Sequence, residues 1–434
     1  MKIIKAIRIL MVVISFVLVS CELDGGESLN GASTSSISDD ISRGELTQAV
    51  SGVLSDMRVG LSTHNDVKSI FGREYYYFTS SDPRYEGDVV VGNLDNNTFY
   101  VTTPWGARYA TVKNINLILE GLDNTTADFS AAEIAGARGV LNTLKAYELL
   151  MLSDNQHDNG IRVDVSDSEN LGAFLDRSAA LSSIAGLLDS AAGELGSAGD
   201  SFAFGLSSGY SGFDTPQTFL QFNRALMARV SAYQGDYTTT LAALNASFFD
   251  LAGDLDGGIY HTFSLSGQDI ANPLFIALNQ TANVRVAHSS FVTDVQDGDT
   301  RLEKVVERDE PREATGLVGT HDVALYGSNV DNIPVLRNEE LILLYAEANM
   351  QTNPGEAVAA LDVLRTAAGL PAYTGTTTPA ALEDEILYNR RYSLFGEGHR
   401  WIDMRRFGRL SDLPNDRSTD NVPSAIPVPA NENK

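Results

Sequence analysis

Apolar residues recur at i, i+3, i+4 and i+7 in several stretches after Trp105, the period of helices with one buried stripe. Ile115, Ile118, Leu119 and Leu122 form one stripe, Val140, Leu144, Tyr147 and Met151 the next, and Leu181, Ile184, Ala185 and Leu188 a third. A fourth, Phe222, Leu226, Val230 and Tyr233, runs into Gln234-Gly235-Asp236-Tyr237, after which Leu241, Leu244, Phe248 and Leu251 begin a new amphipathic stretch. That order predicts a helix hairpin with a tight turn. Leu341, Leu344, Tyr345 and Ala348, a turn at Asn353-Pro354-Gly355, and then Ala357, Leu361, Leu364 and Ala368 predict a second hairpin, whose alanines permit close helix approach. Between the helices, 63–104, 155–175, 197–216 and 255–335 lack this period; stretches of such length are functional loops or hold small local elements. The pattern thus predicts a helical scaffold with a loop-rich second face.

The first residues follow a different pattern. Lys2, Lys5 and Arg8 precede an apolar run from Ile9 to Val19, and Leu18-Val19-Ser20-Cys21 follows. This is the order of a secretory signal, too short in its apolar part to span a membrane. Cys21 is the one cysteine of the chain, so no internal disulfide forms, and a small residue directly before it fits cleavage and acylation of the new N-terminus. The expected organisation is a leader over 1–20, a lipid anchor on Cys21, a flexible tether over 21–40 rich in Gly, Ser, Thr, Asn and acids, and one domain over 41–434. Glu22 and Asp24 resemble the surface-export signal of Bacteroidetes lipoproteins.

Net charge is -26, and loss of the leader with its three cations lowers it further. Nucleic acid is excluded as a partner, and the ligand is expected to be neutral or cationic. The six histidines are scattered, and no HExxH, GxSxG, phosphate-binding loop or dinucleotide fingerprint is present. Neither a metal nor a cofactor is therefore expected. Asp294, Asp297 and Asp299 around Gly298 resemble half of a calcium loop, but the oxygen spacing fails, and a structural turn is the better reading. The cluster Glu397, His399, Arg400, Asp403, Arg405 and Arg406 around Trp401 reads as an ion-pair lock, with Arg400 or Arg405 expected to meet Asp403 or Glu347.

The hairpins look like tetratricopeptide units, and the C-terminal third is more specific still. Arg337-Asn338-Glu339-Glu340-Leu341-Ile342-Leu343-Leu344-Tyr345-Ala346-Glu347-Ala348, then Ala360 to Arg365 with Ala368-Gly369-Leu370-Pro371, then Asn389 to Gly408 and finally Ile426-Pro427-Val428-Pro429 with Glu432, resemble in order the motifs of the SusD/RagB family of nutrient-binding lipoproteins. Trp105 to Glu120, Ala137-Arg138 to Tyr147, and Asp299-Thr300-Arg301 are similar to further family elements. Asn389 and Ser393 depart from it, standing where glutamates are usual. The resemblance implies an all-α scaffold of tetratricopeptide-like hairpins with a loop-rich irregular lobe. It also implies a protein on the extracellular face of the outer membrane that captures an oligosaccharide or peptide non-covalently and delivers it to a SusC-like, TonB-dependent barrel. A surface scaffold for other proteins and a surface glycoside hydrolase are the competing readings; the second would need two carboxylates at a set separation.

A sugar- or peptide-binding face needs aromatic planes beside amides, carboxylates or arginines, displayed on loops held by rigid helices. Tyr75 to Phe78 running into Ser81-Asp82-Pro83-Arg84-Tyr85, and Asn96, Asn97, Phe99 and Tyr100 before Trp105, supply them. The expected ligand residues are Tyr77, Asp82, Arg84, Tyr85, Asn97, Tyr100 and Trp105, with half of the Tyr75 to Phe78 run buried in a short strand. Tyr210 to Phe213 and Tyr260-His261 are further aromatic candidates.

Overall fold

A computed structural model describes residues 34–432 apart from residue 268. The leader and Cys21 lie outside the described residues. The chain begins with α1 (Thr34–Asp39), α2 (Arg43–Asp56) and α3 (Leu61–Phe71), then β1 (Tyr75–Thr79), α4 (Phe99–Asn124), α5 (Ala131–Gln156) and the short β2 (Ile161–Arg162) and β3 (Phe174–Leu175). Next come α6 (Arg177–Gly196), α7 (Pro216–Gln234), α8 (Tyr237–Asn245), β4 (Gly258–His261), β5 (Asn283–Ala287), α9 (Ser289–Thr293), β6 (Val305–Ala314), β7 (Leu317–Val323) and β8 (Ile333–Arg337). The last helices are α10 (Asn338–Asn349), α11 (Pro354–Ala367), α12 (Pro379–Ser393) and α13 (Arg400–Arg406).

Capping explains where the helices start. Ser42 with Glu45 and Ser130 with Glu133 close reciprocal capping boxes on α2 and α5, and Asp176 caps α6. Both predicted hairpins form, although the second helix of the first one ends at Asn245, before Phe248 and Leu251. Gly235 ends α7 in the left-handed region at φ 73°, and Asp236 at once caps α8, which is why the turn is so tight. Helices α4 to α8 pack in sequence, and α10 lies on α8. The stripes read from the sequence are buried: Ile115, Val140, Leu144, Ile184, Leu188, Phe222, Leu226 and Val230 are all inaccessible. A second apolar cluster, built from Ile342, Leu343, Leu361, Leu364, Leu382 and Ile386, holds α10, α11 and α12 together.

The all-α expectation is corrected by a four-stranded sheet of order β1-β5-β7-β6 and two two-stranded pairs, β2-β3 and β4-β8. Of Tyr75 to Phe78, three are buried and Tyr77 alone is partly exposed, because β1 is packed on both sides, Tyr75 against Phe395 and Tyr76 and Phe78 in the main core. The tether expectation is corrected over its last residues. α1 packs on α4 so closely that a Cβ at Gly121 would stand 1.8 Å from the Ile37 carbonyl oxygen. Beyond it the Asp40 carboxylate accepts hydrogen bonds from the Thr126 backbone N–H and hydroxyl at 2.6 and 2.7 Å.

The C-terminal charged cluster is a lock, with partners other than those expected. Asp403 accepts from Arg390 at 2.7 Å and from Arg406 at 3.0 Å, and Arg406 also pairs with Glu347. Arg406 stands one turn from Asp403 on the same face of α13, whereas Arg400 and Arg405 point elsewhere. Arg400 donates to the Gly72 carbonyl, and Arg405 donates to the Ser424 and Asp154 carbonyls and stacks 4.4 Å over Trp401. Asn389 and Ser393 both accept from Arg301 at 3.0 Å, so neutral oxygens serve where carboxylates were missed. Asp299 pairs with Arg301 and Asp294 with Arg391, in keeping with a structural turn there.

Candidate functional site

The loop-rich face is built on β1. It pairs antiparallel with β5 so that Tyr77 lies opposite Arg285, and the pairing continues past the strand ends through Ser80 N–H to the Ala282 carbonyl at 2.9 Å. This brings the loop after β1 beside residues 272–283. Asp66 of α3 anchors the arrangement from inside, holding Arg285 through two bonds of 2.6 and 2.8 Å. From that anchor a row of rings runs outward. The Arg285 guanidinium lies 4.7 Å over Tyr77, Tyr77 meets Tyr85 edge-on at 4.8 Å, Tyr85 meets Phe99 at 5.3 Å, and Arg84 covers Phe99 at 4.8 Å.

Each contact has a recognisable physical basis. Edge-to-face rings and a guanidinium over a ring satisfy the aromatic quadrupole. Arg84 is oriented by Asp82, whose carboxylate accepts from Arg84 Nε at 2.8 Å, from its terminal nitrogen at 2.7 Å and from its backbone N–H at 3.2 Å. That hydrogen bonding holds the Asp82 carboxyl below its usual range. Burial raises the Tyr77 hydroxyl, which stays protonated at neutral pH. Asp82 and Asp66 are thus both committed to arginines, an arrangement suited to fixing donors in space rather than to proton transfer.

The predicted residues divide. Tyr77, Asp82, Arg84 and Tyr85 come together in this row. Tyr85 is a buried link in it, with Asp82, Arg84 and the half-buried Phe99 forming the accessible end. Asn97 is exposed on the same loop. Tyr100 is corrected: it is inaccessible, and its hydroxyl closes the loop by donating to Asp88 at 2.9 Å and accepting from Asp95 N–H at 3.0 Å. Trp105 is corrected as well. It is 5% exposed, donates to Glu432 at 3.0 Å and packs on Tyr109 and Phe174 in the core rather than in the row. Phe99 and Arg285 were not chosen from the sequence. Phe99 lay in a region already singled out, whereas nothing local marks Arg285.

Clefts also lie elsewhere among the described residues. One of about 810 Å³ runs between α4, α5 and the loop after β2, with Tyr109, Asn116, Lys145 and Leu171 in its walls. Another of about 460 Å³, flanked by Tyr260, Lys304, Tyr326 and Arg337, opens beside α11. Among the described residues no group of three or more His, Cys, Asp or Glu is placed to hold a metal ion, and no helix is long and apolar enough to cross a membrane.

Tetratricopeptide-like hairpins carrying a small sheet and a loop face define a SusD-type fold. A SusD superfamily protein from Bacteroides vulgatus shares it with a TM-score of 0.67 at 15% identity, over 90% of this chain and 96% of that one. A laminarin-binding SusD-like protein gives 0.64 at 18% identity, over 89% and 96%. Surface glycan-binding protein A from Bacteroides thetaiotaomicron, in complex with laminarihexaose, gives 0.68 at 15% identity, over 89% and 96%. Residues 293–426 match the model of the SusD family. A SusD-like protein of Formosa agariphila is 35% identical over 91 residues, a stretch that is 19% of this chain and 18% of that protein. The chain is thus similar to the SusD family over residues 293–426 and shares the SusD fold over most of its length.

Proposed function

We propose that this chain captures an oligosaccharide on the loop face and delivers it, chemically unchanged, to a SusC-like TonB-dependent barrel, working on the extracellular face of the outer membrane from an acyl anchor on Cys21. The observation that carries the binding part is the accessible end of the row, Asp82, Arg84 and Phe99. Arg84 presents donors already oriented by Asp82, and Phe99 is a partly exposed ring beneath it. Pre-oriented donors beside an apolar plane match the alternation of hydroxyls and C–H faces along a sugar chain. An open face rather than an enclosed pocket suits a chain ligand. The laminarin-binding and laminarihexaose-bound relatives support a glucan as the first ligand to try.

Calorimetric titration of the soluble chain with laminarihexaose, other glucans and a peptide library tests this. Saturable binding of a glycan, without turnover over days, is the expected result. Binding of peptides alone would replace the glycan, and release of shorter sugars abolished by one acidic substitution would replace capture with hydrolysis. Mild-detergent purification from the native membrane should bring down a large barrel; recovery of other lipoproteins instead would favour a scaffold role.

A further inference from the structure

The two aromatic regions not used by the loop face, around Tyr210 and Tyr260-His261, meet at one cavity. The turn Ser208–Tyr210 lies against β4 so tightly that a Cβ at Gly209 would stand 1.9 Å from the Tyr260 carbonyl oxygen. Together with α2 they enclose a cavity of about 350 Å³. That volume falls in the range of small-molecule sites. Tyr210 and His261 are 2% and 5% exposed and form its floor, and neither the Tyr210 hydroxyl nor His261 Nε2 has a hydrogen-bond partner. A buried polar atom left unpaired is costly.

The walls define the ligand class. α2 presents Thr47, Ser51 and Ser55 at intervals of four, hence on one face. The Thr47 hydroxyl donates to the Arg43 carbonyl at 3.1 Å and the Ser51 hydroxyl to the Thr47 carbonyl at 2.9 Å. With their protons so engaged, both oxygens face outward as acceptors. Arg58 donates to the Thr262 carbonyl at 2.7 Å and to the Ser55 hydroxyl at 3.2 Å, and pairs with Asp269 at 2.6 Å. The one cation and the one anion of the lining thus neutralise each other. Burial depresses His261 to about 3, leaving a neutral ring with one donor and one acceptor. Acceptor oxygens beside Asp269 disfavour an anion, and the density of polar groups disfavours a hydrocarbon.

We propose that this cavity is a second ligand site, separate from the loop face, that seats one neutral polyhydroxylated ring of pyranose size against the Thr47–Ser51–Ser55 hydroxyls and the Tyr210–His261 floor. The site does not depend on the loop-face reading, since it shares none of its residues. The full chain is titrated with methyl glucoside, methyl mannoside and myo-inositol while the ring resonances of His261 are followed by NMR. At least one probe should bind saturably in the millimolar range and shift His261. Affinity should fall by about tenfold or more in Ser51→Trp, or in Thr47→Phe if the first fails to fold, and should not change in Arg84→Ala. Failure of all three probes to shift His261 would mean that the cavity holds water only and would overturn the proposal. It would equally fall if Arg84→Ala abolished binding while both cavity variants kept it, since the ring would then sit on the loop face.

Discussion

Arg390 and Arg406 reach Asp403 at 2.7 and 3.0 Å with side chains that are 1% and 8% exposed, whereas Arg84 holds Asp82 at 2.7 Å with 46% of its side chain in water. The geometry of the pairs is alike and their surroundings are opposite. In the C-terminal lock, α12, α13 and α10 are tied by charges that have lost their hydration, so each charge depends on its partner. On the loop face the carboxylate costs little to keep and orients a guanidinium that remains available. The same two residue types therefore build structure in one region and present donors in the other, and burial decides which. The recognisable family segment, 293–426, holds the pairs of the lock, while the exposed pair lies well before it.

The sharpest break in this comparison comes from Asp403→Ala. It leaves Arg390 and Arg406 buried beside one another with only Glu347 to share, and removing one partner of a buried pair costs about 3–5 kcal/mol. That is a large part of the total stability of an ordinary domain. Urea denaturation should show the loss, and a change of under about 1 kcal/mol would mean that the cluster is not the lock described here. Trp105→Phe comes next. Loss of the indole bond to Glu432, with imperfect filling of the space, is expected to cost about 1–3 kcal/mol and to leave oligosaccharide affinity unchanged. Reduced affinity at unchanged stability would instead restore Trp105 to the binding face.

Arg84→Ala tests the other side. The side chain is exposed, so the melting temperature should stay within error of the parent, while affinity for the oligosaccharide that binds best should fall by about tenfold. Asp82→Asn should give a smaller loss of the same kind, because Arg84 keeps its place over Phe99 but is no longer held by a full charge. Equal affinity in both variants would move the site away from this row.

The sequence carried the helices and the order of motifs because those depend on neighbours three or four positions away. Gly235 and Asp236 announce their turn locally, and so do Ser130 and Glu133. The sheet was less legible. Arg285 meets Asp66 across 219 positions, and no local pattern marks such a pair. β6 reads Val-Val-Glu-Arg-Asp-Glu-Pro-Arg-Glu-Ala, without a regular alternation, because most of the strand faces water. The candidate binding residues were half legible for a related reason. Aromatic residues cluster in sequence around 75–105, but which of them is displayed depends on partners far away: Glu432 buries Trp105, and Asp88 and Asp95 occupy the Tyr100 hydroxyl.

Glu74 stands where the two regions join and gives the smallest predicted effect. It follows α3 and precedes β1, yet its carboxylate accepts from the Gly396 N–H at 3.1 Å, so it links the base of the loop face to the C-terminal motif. Burial raises its carboxyl from 4.5 to about 7. Glu148 is raised to about 7 for the same reason, although Arg108 lies 3.0 Å away. At these two groups the folded chain binds more protons than the unfolded one, so their contribution to stability is highest at the acidic end of the window and falls as pH rises through 7, whereas His64, His157, His261 and His399, depressed by burial below 6.5, contribute in the opposite sense. Lys68, depressed by burial to about 8, contributes its own change only above that pH. Glu74→Gln keeps an oxygen for Gly396 and removes the titration. From near pH 5 to near pH 8 the parent should therefore lose stability relative to the variant, by roughly 1–3 kcal/mol at most, as melting curves of the two at both pH values will show. Identical slopes would assign the whole effect to other groups, Glu148 first among them. A relative loss in the parent would show that the junction carries a buried charge penalty at neutral pH, which the paired charges of the lock avoid.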